Sequence, residues 1–188
     1  VKSTELLEIP EVREQIAPMS VEEYHQSGER NARGRRTELI RGLVIEKMPK
    51  SPRHSWLTHE LYMLITHALG DKYVSWYDEP LTFIDSEPEP DISVVSGSSK
   101  QYLDEHPNTA LLVIEIALSS LRLDRAKAEI YAEAGIPEYW IVDVAKKQVE
   151  VYTDIHGGRY ASIETFNAVL QCRSLPEFTL RVQDLFPA

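Results

Sequence analysis

From Leu111 to Leu118 the chain reads Leu-Leu-Val-Ile-Glu-Ile-Ala-Leu, apolar at every position except Glu115. A run of that length and composition predicts a strand covered on both faces. Shorter strand-like segments stand at 72–76, 81–84 and 91–95 before it, and at 139–144, 148–153, 160–165 and 168–173 after it. Helical spacing appears first after Ser51-Pro52, a cap followed by a first-turn proline. Leu57, Leu61, Leu64, Ile65 and Ala68 then form an apolar stripe up to Gly70, with His54 at its near end. A second helix is predicted over 121–134, stopped by Gly135 with Pro137 beyond. Glu38 to Met48 reads as a hairpin turning at Arg41-Gly42. Residues 1–20 form an acidic arm ending at Pro18, after which Ser20 caps a short helix over 21–26. Residues 178–186 close the chain, partly helical. Together these predict an α/β chain: an α+β mixed sheet, flanking helices and a C-terminal β meander.

Length sharpens this picture, because 188 residues with no internal repeat and no long linker suit a single domain over 1–188. Apolar runs are too short to span a membrane. The opening Val1-Lys2-Ser3-Thr4-Glu5 does not read as a signal peptide, so the expected location is cytoplasmic. The single Cys172 excludes an intrachain disulfide and a multi-cysteine metal site. His59, His67, His106 and His156 show no zinc spacing with one another or with Cys172. A net charge of −10 disfavours bulk electrostatic binding to nucleic acid but leaves room for a local basic groove or a metal-bridged phosphate. Gly28 to Arg36 is such a local exception, with Arg30, Arg33, Arg35 and Arg36 in a loop that is either solvated or phosphate-contacting.

The chemistry begins with Glu115. An unpaired ionised carboxylate among Ile114, Ile116 and their neighbours is costly, so it calls for a cation, a metal or a proton. Asp91, after Pro90 at the mouth of a strand, can converge on it if the two strands are neighbours. Two close carboxylates repel unless a cation intervenes, and a hard divalent ion suits oxygen ligands. In the second helix, Lys127 falls within the arc of Leu123, Ile130, Tyr131 and Ala134, so its ammonium points inward, towards the sheet. Each residue also has a bland role: Asp91 as a turn residue, Glu115 as the partner of a structural arginine, Lys127 as a snorkelling side chain. His54 reads as a structural histidine at a helix start, and Asp143 as a turn acid at a strand end.

A Pro-Asp at a strand start, a Glu in a following apolar strand and an inward lysine resemble the PD-(D/E)XK nuclease superfamily. The finer resemblance is to its Uma2 branch, also called DUF820, a restriction endonuclease-like group abundant in cyanobacteria. It rests on Thr37-Glu38-Leu39-Ile40-Arg41-Gly42, Pro52-Arg53-His54, Pro90-Asp91-Ile92 and Val113-Ile114-Glu115-Ile116-Ala117-Leu118-Ser119. It continues through Asp124-Arg125-Ala126-Lys127 with Tyr131, and through Gly135-Ile136-Pro137-Glu138-Tyr139-Trp140-Ile141-Val142-Asp143, spanning 37–143. The resemblance implies a restriction-endonuclease-like core and a Mg²⁺-dependent endonuclease, with Mn²⁺ as substitute, acting on DNA as a homodimer. It implies metal ligation by Asp91, Glu115 and the carbonyl of Ile116, with Lys127 orienting water or stabilising charge. Glu38 matches an acid that N-terminal elements often add to such sites. Two departures stand out. Ala117 occupies the place of the superfamily's usual lysine, leaving Lys127 to supply the ammonium from the helix, and Arg41 replaces an acid before the glycine. The alternatives are an inactive nuclease fold serving as a DNA-binding or assembly module, and a metal-dependent hydrolase of small phosphate esters.

Overall fold

Leu112, Ile114 and Ile116 alternate with Val113, Glu115 and Ala117, and the computed structural model, which describes residues 3–28 and 34–186, buries all six positions. They form the fifth of the strands whose residue ranges follow. Residues group into two units, one of 1–47 with 84–86 and one of 48–83 with 87–188.

The first unit carries short helices α1 (Ser3–Leu6) and α2 (Pro10–Arg13), then α3 (Val21–Ser27). Ser20 caps α3 as its sequence predicts: its Oγ accepts from the Glu23 N–H while Glu23 reciprocates on the Ser20 N–H. The hairpin β1 (Thr37–Ile40) and β2 (Leu43–Glu46) turns at Arg41 and Gly42, both at positive φ, 52° and 73°. A pair of left-handed residues suits a tight hairpin. Gly42 is required for a second reason, since a Cβ there would lie 2.4 Å from the Pro18 Cβ. Of the basic loop, Arg30 and Arg33 lie outside the described residues, and Arg35 pairs with Glu46.

The second unit holds α4 (Pro52–Leu69), β3 (Tyr73–Tyr77), β4 (Ile92–Ser96), β5 (Leu112–Ala117), α5 (Leu121–Glu133), β6 (Tyr139–Asp143), β7 (Gln148–His156) and β8 (Arg159–Phe166). β9 (Val169–Gln171), β10 (Thr179–Arg181) and a 3-10 turn at Val182–Leu185 follow. The main sheet runs β3-β4-β5-β6-β7-β8, antiparallel throughout except for β5 and β6. A parallel pair needs a crossover, and α5 supplies it. The sheet is sandwiched. Leu57, Leu61 and Ile65 of α4 pack with Ile92, Val94, Ile114, Ile116 and Trp140. Ala128 and Tyr131 of α5 pack with Val113, Ala117, Tyr139 and Ile141 on the other face. The antiparallel pair β9–β10 adds Leu170 and Leu180 to the α4 side. Among the described residues no helix is long and apolar enough to cross a membrane.

Two expectations need correction. Residues 81–84 form no strand: the Leu81 N–H goes to the Pro88 carbonyl at 3.0 Å and the Thr82 N–H to the Pro107 carbonyl at 2.9 Å, which leaves them bonded to loops. On α4 the buried arc comprises Leu57, Thr58, Leu61, Ile65 and Leu69, so Leu64 and Ala68 are exposed at its margin. The arc is centred near Leu61 and Ile65, a rotation that a stripe of leucines alone does not reveal. His54 falls inside it at about 100° per residue.

Candidate active site

Register sets the two sequence-predicted acids on neighbouring segments. Ile92 pairs with Ile114 and Ser93 with Val113, so Asp91, the residue just before β4, comes to the end of β5 that carries Glu115 and Ile116. Here the ladder gives way. The next N–H on β5, that of Ile116, is taken by the Asp91 side chain, whose Oδ2 accepts it at 2.7 Å. The Asp91 carboxylate is thereby fixed against the backbone of the strand that carries Glu115.

Glu115 projects to the α5 face. Its Oε1 accepts from Lys127 Nζ at 3.0 Å and from Tyr131 OH at 3.1 Å. Lys127 and Tyr131 are one helical turn apart, so one face of α5 delivers both donors. Glu115, Lys127 and Tyr131 are 5 %, 4 % and 0 % exposed, which makes this a desolvated ion pair rather than a surface contact. Tyr131 is itself held by ring contacts with Tyr139 and Phe83 at 4.8 and 6.2 Å. At the start of α5, Ser120 Oγ donates to the buried Asp124 carboxylate at 2.6 Å and Tyr139 OH donates to the Asp124 carbonyl at 2.9 Å, anchoring the helix to β6. Burial, and then the charges of Glu115 and Asp124, push the Tyr139 hydroxyl well above its ordinary pKa.

Asp91 meets partners that sequence patterning did not assign to it. Lys50 Nζ donates to Oδ1 at 2.8 Å, and His54 Nε2 lies 3.1 Å from Oδ2. Lys50 also bonds the Asp78 carboxylate. Asp78 sits in the left-handed region at φ 58°, which aspartate tolerates better than most residues, and its N–H donates to the Asp91 carbonyl at 3.3 Å. Burial acts to raise the Asp91 pKa, but His54 and Lys50 outweigh it and hold the carboxyl well below the usual range. Burial likewise opposes the charge on Lys50, and Asp91 and Asp78 together still raise its pKa.

His54 thus does more than begin a helix. Ser51 Oγ caps its N–H at 3.2 Å, and the same turn aims the imidazole at Asp91. The available signal was its place on the buried arc. Lys50 carried no signal beyond standing just before the Ser51 cap, and Asp78 none. Glu38 belongs to the first unit, where it is buried on β1 opposite Ile45. Asp143 behaves as a turn acid, accepting the Lys146 N–H at 3.1 Å.

The donor chemistry fits a hard divalent cation. The Asp91 and Glu115 carboxylates and the backbone carbonyl of Ile116 are all oxygen donors, and Mg²⁺ takes few protein ligands while keeping waters. Among the described residues no three side chains of His, Cys, Asp or Glu are grouped to hold a metal, so any ion here depends on that smaller set.

The Uma2 family model, described as "Putative restriction endonuclease", matches residues 21–183. Among solved structures, the chain is similar to a putative nuclease belonging to DUF820 from Anabaena variabilis ATCC 29413, with a TM-score of 0.74 and 22 % identity over 90 % of this chain and 98 % of that one. That likeness is one of fold. No curated protein matches the chain.

Proposed function

The chain belongs to the Uma2 family, and from that premise we propose that it is a metal-dependent endonuclease hydrolysing DNA phosphodiester bonds. The observation that carries this reading is a pair of buried carboxylates on neighbouring segments, Asp91 just before β4 and Glu115 on β5, each held by a lysine from a different part of the chain. Asp91, Glu115 and the Ile116 carbonyl would hold Mg²⁺, or Mn²⁺ in its place. When bound, such an ion supplies Lewis acidity and a water of lowered pKa.

The chain's own residues do the rest. The Ile116 N–H and His54 orient the Asp91 carboxylate. Tyr131 and Lys127 orient that of Glu115. Lys127 keeps an ammonium in a desolvated place, where it can stabilise charge developing on a phosphate. For Glu38 the family resemblance is the support, and Glu38→Gln tests it. Cutting both strands of a duplex calls for two copies, and sedimentation on DNA tests that.

Cleavage of plasmid DNA with Mg²⁺ or Mn²⁺ is the direct test. Wild type should cut and Glu115→Ala should not. Small phosphodiesters should fail to compete with duplex DNA. Hydrolysis of small phosphodiesters without cleavage of DNA would replace this reading with that of a small-ester hydrolase. Metal-bound protein that cleaves neither would make it a binding module.

A further inference from the structure

Asp91 is held asymmetrically. Its Oδ2 receives the fixed donors, the Ile116 N–H at 2.7 Å and His54 Nε2 at 3.1 Å, one from a central strand and one from the first turn of α4. Its Oδ1 receives Lys50 Nζ at 2.8 Å, from a flexible side chain on the segment before the Ser51 cap. Lys50 is one-quarter exposed, whereas Lys127 is buried. It also has a second anion in reach, because the same Nζ bonds Asp78. The left-handed turn at Asp78 keeps that carboxylate beside Asp91, through its N–H on the Asp91 carbonyl.

Resting on the metal-dependent reading above, we propose that Lys50 is a built-in placeholder for the divalent cation: it neutralises Asp91 Oδ1 in the metal-free protein and withdraws onto Asp78 when a metal takes that oxygen. The physical reasoning is short. A buried carboxylate without a counter-charge is strongly destabilising, so a metal-free site needs a resident cation. An ammonium and a divalent ion on one oxygen repel, so the resident must leave or weaken the newcomer. A lysine is suited to this exchange because its charge rides on a mobile stem and its donors impose no fixed fork. Asp78 lowers the cost of leaving by keeping the ammonium paired. Lys50 is therefore a positioning residue that sets metal affinity, and Lys127, locked on Glu115, is not exchanged.

Mn²⁺ binding measured on the whole chain by the loss of the free-ion paramagnetic resonance signal tests this without reference to cleavage. Lys50→Met should tighten Mn²⁺ binding by about tenfold or more, since each tenfold corresponds to a modest change in interaction. Lys50→Arg keeps the charge and should not tighten it. Asp78→Asn removes the withdrawal site and should weaken binding, a change of opposite sign that remains informative if Lys50→Met does not fold. Asp91→Asn should abolish the site. Binding lost in Asp91→Asn yet unchanged in Lys50→Met and in Asp78→Asn would overturn the placeholder and leave the metal reading standing. Absence of Mn²⁺ binding in both wild type and Lys50→Met, or undiminished binding in Asp91→Asn, would overturn both.

Discussion

Glu138 and Asp91 are both buried acids in the unit built on the six-stranded sheet, yet they are held by different chemistry. Glu138 lies just before β6 and, among the described residues, its donors are neutral: Trp140 Nε1 at 2.8 Å, the Ser174 N–H at 2.7 Å, Ser174 Oγ at 2.8 Å and Cys172 Sγ at 3.3 Å. Three of the four come from the segment after β9, so Glu138 ties that end of the chain to the sheet. Asp91 receives Lys50, His54 and one backbone N–H, and its neighbour Glu115 receives Lys127 and Tyr131. Neutral donors satisfy a carboxylate permanently. Cations can be exchanged for another cation. The contrast separates an acid that serves the fold from acids available to chemistry, a distinction that their sequence neighbours do not show.

The sharpest way to break this contrast is to strand a charge. Lys127→Met leaves Glu115 buried without its ammonium and should cost about 3–5 kcal/mol in denaturant melts. Adding Glu115→Gln should recover most of that loss. A double variant no more stable than Lys127→Met would show that the two groups are not coupled.

The corresponding change in the neutral nest should be milder. Glu138→Ala orphans the Trp140 and Ser174 donors, at about 1–3 kcal/mol for a buried donor left unmade. Mn²⁺ affinity should not move. A variant that lost metal binding as well would erase the distinction between the two regions.

Acid sensitivity should belong to the cation-held site. Asp91 titrates below its ordinary value in the folded chain, so its contribution to stability is fully present above about pH 4, the unfolded value. It is lost as pH falls from there through the folded value. Asp91→Asn should remove that part of the acid slope in melts recorded from pH 6 downwards. An unchanged slope would place acid sensitivity elsewhere.

The smallest effect concerns Cys172. Burial, and then the Glu138 charge, push its thiol up and out of the reactive range. Native protein should resist iodoacetamide near pH 8, and unfolded protein should react. Cys172→Ala should cost only about 1 kcal/mol, since three stronger donors remain on Glu138.

Much of this was legible in the chain. The unbroken apolar run announced a central strand, and Glu115 within it announced a need for neutralisation, which Lys127 meets at 3.0 Å. Helix phase placed Lys127 inward because both groups lie within one short strand–helix unit. The Glu138 nest was not legible. Its distinctive motif could be matched, but its partners at 172 and 174 sit 34 and 36 positions away, beyond any local pattern. Residues 81–84 misled for the converse reason: their composition suits a strand, but loop carbonyls, not a neighbouring strand, receive their N–H groups.

The sequence by itself determined the two long helices, the doubly covered strand, the inward lysine and the acids that needed a partner. Hydrophobic period and capping encode those features within a few residues. Only the tertiary structure decided which cation answers which acid. Lys50 reaches Asp91 across 41 positions, and His54, at the start of α4, reaches the same carboxylate across the strand and loop that lie between them. Periodicity states which face of an element is buried. The meeting of charges from separate elements depends on strand register and on the paths of the loops between them, and neither repeats along the chain.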